Sequence, residues 1–91
     1  MMTILELIER IGELDDEDVI FAKPEWNEHS EARIFRLTSD YRVPPEAIAF
    51  GFKYFLEVAV VKQVLDEFQN RPNVSMLAKC RRVIYYATFD A

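Results

Sequence analysis

The chain has 91 residues, 51% of them hydrophobic, with a formal net charge of −5, one His, one Cys and two Gly. Catalytic, metal and phosphate sites draw on those scarce types, and phosphate binding also needs clustered Lys and Arg, so these classes lose support first. One domain spanning residues 1–91 is expected to bury roughly 60–65% of its unfolded surface, and seven Phe, four Tyr and one Trp fill such a core without a metal or disulfide.

Thr3 and Glu6 have the spacing of a capping box, in which each side chain satisfies a backbone donor at a helix start. Ile4, Leu7, Ile8, Ile11 and Leu14 then recur at three- and four-residue intervals and predict a helix with one apolar face. Asp15-Asp16-Glu17-Asp18 cannot extend that face and reads as a solvated turn; the glycine and distal glutamate of an EF-hand are absent from their positions. Val19-Ile20-Phe21-Ala22 is β-branched and aromatic and stops at Pro24, the pattern of a strand. Glu25 to Ser30 is a polar connection. From Ala32 to Thr38 the chain alternates, with Ala32, Ile34, Arg36 and Thr38 on one side and Arg33, Phe35 and Leu37 on the other. That predicts a second strand, antiparallel to the first. Ser39-Asp40-Tyr41-Arg42 resembles a turn.

Pro44-Pro45-Glu46-Ala47 predicts a short helix start, ended by Gly51. Beyond it Phe52, Tyr54, Leu56 and Val58 alternate with Lys53, Phe55 and Glu57, which predicts a third strand; a single helix from Pro45 to Gln69 is the competing reading. Val60, Val61, Val64, Leu65 and Phe68 form the stripe of a further helix, closed by Asn70-Arg71-Pro72-Asn73. Ser75 caps a last helix with Leu77, Cys80, Ile84 and Ala87 on one face. The sum is an α+β domain: a small, mainly antiparallel three-stranded sheet packed against three to four helices, which cover one face.

Trp26-Asn27-Glu28-His29-Ser30 gathers an aromatic surface, a carboxylate, an imidazole and a hydroxyl in one loop, the kind of segment that carries function on a scaffold. Neighbouring Glu28 and His29 point apart in extended chain, so the loop reads first as Trp26 capping the core's edge with Glu28 and His29 solvated, next as a recognition loop, and last as an acid–base site. Cys80 lies on a core stripe, which argues against a nucleophile, and no paired spacing supports zinc. No catalytic residue, metal or cofactor is expected. Lys79, Arg81 and Arg82, with Tyr85 and Tyr86 a turn on, read as a solvated helix face rather than a nucleic-acid grip. Tyr86 and Phe89 are expected to pack back on the domain. The N-terminus lacks the basic and long apolar regions of a signal peptide, and Val58 to Val61 is far too short to span a bilayer, so a cytoplasmic protein without membrane contact is expected.

Four stretches carry a resemblance: Ile4 to Leu14 with Asp18-Val19-Ile20; Lys23-Pro24-Glu25-Trp26 with Ser30; Gly51 to Val58; and Tyr85-Tyr86-Ala87 with Asp90. Over these the chain resembles a family of small uncharacterised bacterial proteins grouped under a domain-of-unknown-function label. The resemblance implies a bacterial origin and no activity. The composition points to a non-enzymatic protein-binding module, most concretely an immunity- or antitoxin-like inhibitor of a basic toxin, whose contact residues would be Trp26, Glu28, His29, Asp15, Asp16 and Asp18. The alternatives are a structural or regulatory homo-oligomer, and a small hydrolase or ligand-binding enzyme using the Trp26–His29 loop.

Overall fold

A computed structural model describes residues 1–37 and 42–90. At its centre lies strand β2, Val19–Ala22, with all four residues buried. β3, Glu31–Phe35, and β4, Lys53–Glu57, flank it, and β1, only Met2–Thr3, lies beyond β3. The order is β1-β3-β2-β4, every pair antiparallel. Helices α1 (Ile4–Glu9), α3 (Val58–Leu65) and α4 (Met76–Phe89) pack on one face, and the short α2 (Pro45–Ala49) on the other. Single 3-10 turns, Ile11–Glu13 and Asp66–Phe68, follow α1 and α3.

β2 needs cover on both sides because its apolar residues alternate without a polar one. Ile20 and Ala22 join Ile4, Leu7, Ile8, Phe55, Val58, Val61, Cys80 and Val83 in the larger cluster; Val19 and Phe21 join Ala47 and Phe52 in the smaller. No polar or charged residue is buried among the described residues, so the core holds by apolar contact alone. The smaller cluster is a herringbone of rings: Phe21 meets Phe35 at 5.2 Å and Tyr54 at 5.9 Å, both edge to face.

The expected α+β class holds, with two corrections. The sheet has four strands rather than three, because Met2–Thr3 pairs with Ala32 and Glu31. Two residues show no alternation, and Thr3 is at the same time the N-cap of α1, accepting from the Glu6 N–H while the Glu6 carboxylate accepts from the Thr3 N–H. Helices also do not all share one face, since Ala47 brings α2 onto the opposite one.

In the middle segment a strand does separate two helices. Strict alternation fails there, however: β4 pairs Leu56 with Ile20 and Tyr54 with Phe21, leaving Phe55 as the extra residue of a bulge. The bulge turns Phe55 and Leu56 into the same core, where a regular strand would have sent Phe55 outward with Lys53 and Glu57. β3 ends at Phe35, and the turn expected over 39–42 lies, apart from Arg42, outside the described residues, as does Thr38.

Gly51 ends α2 as expected. Its φ is +80°, its N–H donates to Ile48 O, and the Phe52 N–H donates to Ala47 O at 2.8 Å. Those two bonds, with Phe52 packed against Ala47, make a complete Schellman motif. A Cβ at Gly51 would meet no atom, so Gly51→Ala carries the left-handed penalty alone, about 1–2 kcal/mol. Gly12 has equal room without a left-handed φ, so Gly12→Ala should be neutral or stabilising by up to about 1 kcal/mol. Urea unfolding of the two variants checks this; equal effects would contradict it.

Candidate functional site

The segment after β2 is held from three sides. The Ser30 carbonyl accepts from the Ile4 N–H and the Glu28 carbonyl from the Leu5 N–H, so the loop satisfies the first two free donors of α1. Within the loop, Asn27 Oδ1 accepts from the His29 N–H at 2.7 Å, and Ser30 Oγ accepts from the Asn27 N–H while donating to Glu25 O. Trp26 faces inward: its Nε1–H donates to Ala22 O at 3.2 Å and its ring stands edge-on to Phe55 at 4.9 Å.

An open groove of about 730 Å³ results beside Trp26. Pro24, Glu25 and Trp26 form one wall, Lys53 and Tyr54 at the start of β4 another, and Ala87 and Thr88 near the end of α4 the third. Its polar atoms are largely engaged from behind. The Tyr54 hydroxyl donates to Glu57 Oε1, and Thr88 Oγ1 donates to Ile84 O. Burial, and then the Glu57 carboxylate, push the Tyr54 phenol above its ordinary pKa, so it stays protonated.

Of the six residues singled out in the sequence, the structure brings only Trp26 into this groove. Glu28 turns to Arg81 of α4 at 3.5 Å, and its own backbone N–H, followed by Arg81, holds the carboxyl below its ordinary pKa. His29 is exposed and held by its backbone, not its ring. Asp15, Asp16 and Asp18 lie in the α1–β2 connection, the first two exposed, and each is paired with a cation. Arg36 reaches Asp15 at 2.9 Å, Asp18 at 3.0 Å and Glu17 at 3.8 Å, and Lys62 grips Asp16 and Leu14 O. The run is the solvated turn expected, with Asp15, Asp16 and Glu17 exposed, and its surface ion pairs tie it to the end of β3 and to α3. Sequence reasoning missed Tyr54, Lys53 and Thr88, since no local pattern reveals that β4 and α4 converge on the β2–β3 loop.

The basic residues of α4 part company as well. Arg81 serves Glu28, whereas Arg82 reaches Glu67 and lies over the Tyr85 ring. Only half of the expected C-terminal packing occurs: Tyr86 packs on the core, but Phe89 turns outward and meets Tyr85 in a tilted ring contact at 4.7 Å. Phe89 sits on the helix side away from Cys80 and Val83, so it cannot reach the core. Cys80 is fully buried, and burial pushes its thiol up to about 11, which leaves little thiolate for nucleophilic attack. Among the described residues no group of three or more His, Cys, Asp or Glu side chains gathers as a metal site, and no helix is long and apolar enough to cross a membrane.

Comparison of the chain with protein-family models, curated proteins and solved structures finds no match.

A hydrogen bond from the Glu17 N–H, and then Arg36, hold the Asp15 carboxyl below its ordinary pKa. A carboxyl depressed in the folded state adds stability above its unfolded value, and that contribution is lost as pH falls through the folded value. The urea midpoint should therefore drop as pH falls below about 4. Arg36→Gln should lower it at neutral pH and make that acid-side drop shallower; parallel pH profiles for the two proteins would contradict this pairing.

Proposed function

We propose that the chain is a non-enzymatic protein-binding module whose contact face is the groove beside Trp26. The observation that carries this reading is a fixed aromatic wall left open to solvent: Trp26 is locked by Ala22 and Phe55, and Tyr54, 44% exposed, faces the same space. Aromatic side chains already held in place bind at low entropic cost, which is why Trp and Tyr dominate interface hot spots. The Glu28 carboxylate is engaged by Arg81 of α4, which favours a structural role for it over acid–base work with His29.

The finer form of the proposal is an immunity- or antitoxin-like inhibitor of a basic toxin, and the net charge of −5 is what supports it. Asp15 to Asp18 add little to it, because Arg36 and Lys62 already answer them. A second reading, self-association, draws on the outward Tyr85–Phe89 ring pair, with the two residues 53% and 63% exposed.

Tagged protein recovered from source cells should carry one stoichiometric partner. Thr88→Arg, an exposed change at the groove rim, should lose that partner, while Asp16→Asn keeps it. Loss with Asp16→Asn but not Thr88→Arg would move the face to the acidic run, and a partner-free self-dimer in light scattering would favour the second reading.

A further inference from the structure

The groove's chemistry narrows what it takes. Its side-chain donors are already engaged within the protein: the Trp26 indole N–H by Ala22 O, the Tyr54 hydroxyl by Glu57 and the Thr88 hydroxyl by Ile84 O. The exception is the Lys53 ammonium. Such a surface offers ring faces, a proline edge and few side-chain hydrogen bonds to a guest. The guest that loses least on such a surface keeps its own backbone in water and makes contact through apolar rings. A polyproline II segment does this, since it has no internal hydrogen bonds, a fully solvated backbone and little conformational freedom left to lose.

Charge supplies the second constraint. Glu25 and Lys53, on two different walls of the groove, have no ion-pair partner among the described residues, unlike neighbouring Lys23, Glu28 and Glu31, which are all paired. One anionic and one cationic rim complement a guest with a basic residue at one end and an acidic residue at the other. We propose that the groove binds a proline-bearing segment of a partner protein in polyproline II conformation, flanked by one basic residue that meets Glu25 and one acidic residue that meets Lys53. This inference rests on the protein-binding reading above and gives that reading its ligand chemistry.

Trp26 is the only tryptophan and stands in the groove wall, so its emission reports occupancy directly. The probes are synthetic peptides with a short proline run between Arg and Asp, between two Arg, and between two Asp, with an alanine run between Arg and Asp as control. The full chain should show a saturable emission change with the Arg–Asp proline peptide and bind it about fivefold tighter than either like-charged one, the size of one exposed ion pair. Lys53→Glu, on an exposed side chain, should shift the preference to the Arg–Arg peptide by a similar factor. No saturable change, an equal response to the alanine peptide, or a preference that ignores Lys53→Glu would each overturn the proposal.

A photo-crosslinking amino acid at Thr88, used in source cells, separates the two levels. A captured segment bearing proline between opposite charges supports the inference. A captured segment without proline overturns it and leaves the protein-binding reading standing, and no captured protein at all counts against both.

Discussion

The burial of β2 on both faces is the constraint from which the rest of the architecture follows. Four consecutive apolar residues cannot alternate into water, so each side of the strand must be roofed. Ile20 and Ala22 call for the layer built by α1, α3 and α4, and Val19 and Phe21 for the smaller one built by α2 and its Schellman turn. Because β3 and β4 both pair with β2, the loop that leaves its end and the strand that starts beside it come together at Trp26, Lys53 and Tyr54.

The loop is held by what it does for the fold. Its carbonyls cap α1, its indole closes on the last residue of β2, and Glu28 pins it to α4. Those attachments orient Trp26 without using its exposed edge. The groove is thus a by-product of structural bonding with its aromatic surface left over, a good starting point for binding because no ordering remains to be done. The acidic run shows the opposite outcome. Four charges that look available in the chain are paired at the surface by Arg36 and Lys62, which join β3 and α3 to the α1–β2 connection.

Local signals were legible in the sequence wherever one segment determined its own structure. The capping box at Thr3, the strand at Val19–Ala22, the stop at Gly51 and the cap at Ser75 all rest on neighbours within a few positions, and each appears in the structure. What depended on distant partners was not legible. β1 exists only because Ala32 and Glu31 lie beside it, and the bulge at Phe55 is seen only in the pairing with β2, where it puts two successive side chains into the larger core. The same limit governs the site: Trp26 stood out as a lone tryptophan in a loop, but its partners Tyr54 and Thr88 are distant in sequence. Its sequence neighbours Glu28 and His29 point elsewhere, Glu28 to Arg81 and His29 into solvent.

The account turns on Trp26 being a fixed wall of the groove before any partner arrives. Amide NMR of the free protein tests this most directly, because the sole indole N–H gives a single resonance. Its hydrogen exchange should be markedly slowed by the bond to Ala22 O, with cross-relaxation between the indole ring and Phe55. An indole N–H that exchanges as fast as free tryptophan, with no contact to Phe55, would contradict a preformed groove.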